Sequence, residues 1–197
     1  MIQDFYELII NDYTVLLDKV DEIERIFRHS KAYNVFLRYL KETVKIRKCD
    51  FFISEEEYKE LDFVDNKIDI EMHHQVRLFE LVLIAGQYLL DRIDTNNGEY
   101  ITVYDVVNEL VIMHFSDYLP FVMMSTTIHQ LYHKGLYTIK VNDSVHLGDY
   151  TGFINRYKDY ITDHIVNEYM ELGLDISGLL KDGDNNVSDK QTEETTR

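Results

Sequence analysis

Apolar positions along this chain recur mostly at helical spacing, and in two places with a period of two. Between residues 3 and 28, Phe5, Leu8, Ile9, Leu16, Val20, Ile23 and Phe27 fall mostly three, four or seven apart with charges between them, which predicts a long amphipathic helix. Ser30 can cap a second helix over residues 33–46, with Val35, Phe36, Tyr39, Leu40 and Val44 as its apolar positions, and the two make an N-terminal helical hairpin. Residues 67–72 alternate polar and apolar, the mark of a strand with one buried face, and His73 and His74 stand at its end. Helical spacing returns over residues 76–92. After the turn Asn96-Asn97-Gly98, Thr102 caps a helix with Val103, Val106, Val107, Leu110, Met113 and His114 on one face. Pro120 falls in the following loop. Ser125 or Thr126 can cap a short helix that carries His129 and His133 and stops at Gly135. Residues 136–141 alternate again and turn at Asn142-Asp143 into 144–147, a hairpin, before residues 153–172 resume helical spacing.

Composition supports this outline. A single proline and eight glycines in 197 residues favour helices over a turn-dense β domain, and a hydrophobic share of 45% is enough for a real core. Residues 49–66 are irregular and acidic, and from Lys181 to Arg197 the composition turns polar, which predicts a disordered tail. The expected organisation is α+β and mostly helical: an N-terminal hairpin over 1–48, a domain over 49–180, and a tail over 181–197.

Charge and cysteine content narrow the chemistry. Acidic residues outnumber basic ones 36 to 20, for a formal charge of −16, which repels nucleic acid at long range. One cysteine excludes an intrachain disulfide and a cysteine-based zinc site, and fits a reducing, cytoplasmic setting in a host cell. The most apolar stretch, residues 78–90, falls short of the roughly 20 residues a membrane span needs and is interrupted by Glu80 and Gln87, so no membrane partner is expected. The acidic N-terminal segment lacks the basic start and cleavage site of a signal peptide.

Five of the eight histidines lie between positions 73 and 133: His73, His74, His114, His129 and His133. His129 and His133, four apart on a helix, share a face and can hold one divalent cation between them. The strand end with His73 and His74 is a natural source of a third ligand, and a histidine beside it suits general-base work near neutrality. Strict strand alternation sends the two to opposite faces unless the strand ends or bulges there. His114, on an apolar helix face, reads as a packed core histidine, and His29, His146 and His164 as surface or packing residues.

The runs Asp69-Ile70-Glu71-Met72-His73-His74 and Met124-Ser125-Thr126-Thr127-Ile128-His129-Gln130-Leu131-Tyr132-His133-Lys134-Gly135 together resemble the HNH, or ββα-metal (His-Me finger), endonuclease pattern. The segment from Cys49 to Tyr160 also resembles bacteriophage proteins with a His-His strand, a helical insertion, an HxxxH run and a following hairpin. The resemblance implies a ββα-metal-like core built from the His-His strand, a short hairpin and the HxxxH helix. It implies His74 as general base, His73, His129 and His133 as ligands of a divalent metal (Mg, Mn, Zn or Ni), and phosphodiester hydrolysis on a nucleic-acid partner. The pattern's middle asparagine falls at Pro120, with Asp117 the nearest polar residue. The alternative is a non-catalytic HNH-derived or acidic phage accessory protein that binds a host or phage protein. The N-terminal helices offer a surface for a homodimer in either case.

Overall fold

The computed structural model describes residues 8–43, 70–116, 119, 121–136, 138, 146–147, 150–171 and 175–181. The fold is α+β and mostly helical, with two small sheets among the described residues. The acidic stretch 49–66, the first residues of the expected strand (67–69), most of the expected hairpin, Asp117, Pro120 and the tail from 182 onward lie outside the described residues.

The long N-terminal helix expected over 3–28 is shorter at its start. Ile9–Ile10 form strand β1, and Asp12 then caps helix α1, Tyr13–His29, its carboxylate accepting from the Val15 amide at 2.9 Å. β1 pairs antiparallel with β3, Ile101–Thr102, through Ile10↔Ile101, so tertiary pairing takes residues that periodicity assigns to a helix. Ser30 caps helix α2, Lys31–Thr43, its hydroxyl accepting from the Tyr33 amide. Helix α3 spans Leu78–Leu90. Helix α4 spans Val103–Phe115 behind a reciprocal cap, in which Thr102 and Asp105 each satisfy the other's backbone amide.

The apolar face of α1 (Leu16, Val20, Ile23 and Phe27) is fully consumed within the chain, packed against α3 and α4. Leu17 of α1 and Val35 and Tyr39 of α2 stay exposed on the N-terminal helices. The closest approach is at Gly86 of α3, where a built Cβ would stand 2.4 Å from both Leu16 methyl carbons. Glycine is required there by space rather than by backbone conformation.

A second sheet crosses one end of this core in the order β2-β4-β5. Strand β2 is Ile70–His74, β4 is Phe121–Ser125 and β5 is His146–Leu147. Both pairings are antiparallel; β2 runs from Ile70↔Ser125 to His74↔Phe121, and β5 meets β4 at Val122↔His146. Strand β4 is absent from the periodicity reading. Phe-Val-Met-Met-Ser is a short continuous apolar run without alternation, so no period marks it as a strand. Helix α5, Thr126–His133, follows β4 without a linker and ends at Gly135, whose φ of +68° is the left-handed conformation that glycine adopts without cost.

The helix expected over 153–172 is two, α6 (Tyr150–Tyr157) and α7 (Asp163–Glu171), joined by a 3-10 turn over Lys158–Tyr160. Thr162 starts α7, its carbonyl accepting from Val166. Helix α8, Ser177–Lys181, follows. Buried Glu109 of α4 pins α6 in place: its Oε1 accepts from the Tyr157 hydroxyl at 2.6 Å and from Arg156 Nη2 at 2.9 Å. Among the described residues no helix is long and apolar enough to cross a membrane.

The α1–α3 contact yields a test of this packing. Gly86→Ala gains about 1 kcal/mol of helix propensity, but overpacking at a buried site costs about 1–3 kcal/mol. The net expectation is a loss of about 1 kcal/mol, a fall in Tm of roughly 2–4 °C for a chain of this size. An unchanged or raised melting temperature would show that Leu16 repacks freely.

Candidate metal centre

Strand alternation sorts the residues of β2 between two faces. Glu71 and His73 point to the side covered by α5, while Met72 and His74 point to the main helical core. Residues directly opposite in an antiparallel pair share a face, so Val122 and Met124 of β4 lie beside His73 and Glu71, and both are fully buried under α5 together with Ile128.

On that side three imidazoles converge. His73 Nδ1 lies 3.2 Å from His129 Nε2, and His133 Nε2 lies 2.9 Å from the same atom. All three ligand atoms fall within 4.8 Å of one another. Two nitrogens bound tetrahedrally to one zinc at about 2.0–2.1 Å stand roughly 3.3 Å apart, close to the spacing found here. Tyr132 packs its ring edge-on against His73, at 4.6 Å between centroids.

Glu71 fixes the protonation of the central ring. Its Oε2 lies 2.6 Å from His129 Nδ1, and an ionised carboxylate accepts, so Nδ1 carries a hydrogen and Nε2 is the nitrogen turned to the cluster. Thr126, at the start of α5, donates to the other carboxylate oxygen at 3.1 Å. A carboxylate behind a ligating imidazole is the usual outer shell of a metal site: it orients the ring and raises its basicity. His133 is exposed and the His129 side chain retains about a fifth of its surface, so the cluster opens to solvent. Burial, then the neighbouring His129 and His133, lowers the His73 pKa to about 4, which keeps this ring neutral and its lone pair available at physiological pH.

The structure therefore brings together His73, His129 and His133 and leaves His74 across the sheet. His74 Nε2 lies 2.9 Å from His114 Nε2, and burial followed by the neighbouring His114 holds its pKa well below the usual histidine range. His114 is buried on α4, as its apolar face predicts. Its Nδ1 lies 2.6 Å from the Leu110 carbonyl oxygen, and burial lowers its pKa to about 4 against the opposing effect of that bond. Sequence reasoning missed Glu71 and Thr126. The available signal for Glu71 was parity, because it stands two residues before His73 on the same face of the strand. His164 is more than a surface residue. Its Nε2 is 3.4 Å from Glu80 Oε1 and 3.5 Å from Glu168 Oε1, and Arg77 Nε is 3.4 Å from the same Glu168 oxygen, a charged clasp between α3 and α7.

The buried His114 carries a pH dependence. Its folded pKa of about 4 lies below the unfolded value of about 6.5, so the unfolded chain binds more protons between those limits and stability falls as pH falls through that window. At pH 5.5 the loss from this residue is roughly 1.4 kcal/mol relative to pH 7.5 or above. Thermal melts in EDTA should show Tm lower by about 3–6 °C at pH 5.5 from this residue alone, with the buried His73 and His74 adding to the fall. That part of the loss should be absent in His114→Phe. Equal pH dependence in parent and variant would show that His114 protonates without cost in the fold.

No curated protein and no solved structure matches this chain. One family model, described as bacteriophage G278-like virion protein, matches residues 2–191. That match spans nearly the whole sequence, the three-histidine cluster and the helical core alike, and it describes a component of the virus particle rather than a nuclease. The chain belongs to the bacteriophage G278-like virion protein family.

Proposed function

We propose that this virion-family protein binds one divalent transition metal through His73, His129 and His133 and hydrolyses phosphodiester bonds there; His74, which the HNH resemblance makes the general base, faces the core instead. The observation that carries the reading is the convergence of three imidazole nitrogens around His129 Nε2, which Glu71 turns to the cluster. The order antiparallel strand, antiparallel strand, HxxxH helix supports it, since this is the order of the HNH pattern, here with a long helical insertion between the strands.

An all-imidazole donor set suits zinc, nickel and their neighbours better than magnesium, which prefers oxygen ligands. A cation so held supplies polarisation of the phosphate and stabilisation of the leaving oxygen. Glu71 and Thr126 keep the His129 ring oriented. The exposed side of His133 leaves an approach for a substrate. In a particle component, the macromolecular partners are other phage proteins and the nucleic acid that the particle carries.

A second reading is a non-catalytic metal clasp tying β2 to α5. It is favoured by the placement of His74, whose ring faces the core and bonds His114 rather than joining the cluster. Metal analysis of the untagged protein separates both readings from neither. We expect one equivalent of zinc or nickel per chain, a 10–100-fold weaker affinity in Glu71→Gln, and no retained metal in His129→Ala. Plasmid DNA and RNA incubated with the zinc-, nickel- or manganese-loaded protein then discriminate. Cleavage by the metal-loaded parent that falls about 100-fold or more in His129→Ala supports hydrolysis. Full metal content without cleavage of either substrate leaves the clasp, and protein that binds none of these metals overturns both.

A further inference from the structure

Helices α3 and α7 bring together a second set of metal-ligating side chains, distinct from the three-histidine cluster. Glu80 stands in the first turn of α3, and its Oε2 accepts from the Arg77 amide at 3.3 Å, which holds the carboxylate at the start of that helix. His164 and Glu168 stand four apart on α7 and so share a face. His164 Nε2 lies 3.4 Å from Glu80 Oε1 and 3.5 Å from Glu168 Oε1, and the three ligand atoms all fall within 4.8 Å of one another.

This spacing is that of ligands around an ion rather than of an ion pair. A charge-assisted hydrogen bond from an imidazolium to a carboxylate is about 2.7–2.9 Å long, and both contacts here are longer. Nitrogen and oxygen donors bound tetrahedrally to one cation at about 2.0–2.2 Å stand roughly 3.4 Å apart. The Glu80 and Glu168 side chains keep only 12% and 18% of their exposure, so two carboxylates are drawn out of water beside one imidazole. Buried charges of this kind are paired or coordinate a metal. Arg77 Nε, 3.4 Å from Glu168 Oε1, brings one positive charge to the two carboxylates, on a side chain that is 68% exposed.

We propose that Glu80, His164 and Glu168 form a second metal site, which takes one divalent cation of the manganese or zinc class and ties α7 to α3. Two carboxylate oxygens and one imidazole nitrogen suit manganese better than the all-imidazole cluster does. His164 is half-exposed, so the remaining coordination positions face water and the ion exchanges readily. It is lost on desalting, unlike an ion held by the three-histidine cluster. Arg77 competes for Glu168 and turns out to solvent as the ion enters. This site is independent of the hydrolytic reading above.

The test is a manganese titration of the full-length protein, with the free ion read from its EPR signal. Two proteins serve: the parent with its three-histidine cluster filled beforehand with zinc, and His129→Ala/His133→Ala, which lacks that cluster. In both we expect one equivalent of manganese to bind. Glu168→Gln and His164→Ala should each weaken that binding at least about tenfold, since loss of an outer-shell partner alone costs as much. Arg77→Ala, which removes the competing guanidinium, should tighten it. Manganese at about 100 times its Kd should raise the Tm of His129→Ala/His133→Ala by roughly 5–11 °C, and by no more than about half of that with Glu168→Gln added. His164 is half-exposed, so His164→Ala decides the matter if Glu168→Gln does not fold. No binding by either protein at millimolar manganese, or binding that either substitution leaves unchanged, overturns the proposal. If zinc does not enter the three-histidine cluster, the hydrolytic reading fails, and the titration of His129→Ala/His133→Ala still decides this one.

Discussion

The register of β2 on β4 is the constraint on which everything at the site depends. With His73 opposite Val122 and His74 opposite Phe121, one histidine faces α5 and the other faces the helical core. A slip of one residue would exchange them, placing His74 and Met72 against the HxxxH helix and driving Glu71 toward the core. Burial on both sides resists that slip. Val122 and Met124 are fully covered beneath α5, while Met72 belongs to the main core on the opposite face. Because α5 begins at the residue after β4 ends, the same register also sets the height of His129 and His133 relative to His73.

Electrostatics reinforce the separation of the two faces. On one face Glu71 sets a carboxylate behind the three-histidine cluster, and a formal charge of −16 supplies a field that draws cations toward the whole molecule and opposes nucleic acid. Across the sheet the reverse logic holds: His74 and His114 sit where burial disfavours a charged ring, and they meet each other's needs with a hydrogen bond instead.

Much of this was legible in the sequence, and the exceptions have physical causes. The caps at Ser30 and Thr102, the short helix through His129 and His133, and its stop at Gly135 follow from local chemistry, so the chain announces them. The convergence of His73 with the HxxxH pair was expected from spacing and from the HNH resemblance. Strand β4 was not, because a short run of consecutive apolar residues has no period to detect. Ile9 and Ile10 were assigned to a helix because their partners, Ile101 and Thr102, lie about ninety residues away, beyond the reach of any local pattern. The break at Thr162 divides a stretch whose apolar spacing alone runs on. His114 was correctly placed in the core, and nothing local could show that its Nε2 would meet His74.

That last contact marks where the chain departs from the pattern it resembles. The HNH pattern expects an asparagine near position 120, and the chain has Pro120 there, a residue whose backbone can donate no hydrogen bond and whose side chain has no polar atom. The histidine that the resemblance makes the base is engaged elsewhere: His74 faces the helical core and meets His114, a ring held among Phe27, Tyr33 and Phe36 with its Nδ1 hydrogen on the Leu110 carbonyl. Only His73 of the strand pair stays with the HxxxH helix, so the two adjacent histidines tie one strand to two different partners, α5 on one side and α4 on the other. The family match over residues 2–191 takes in both sides of that sheet.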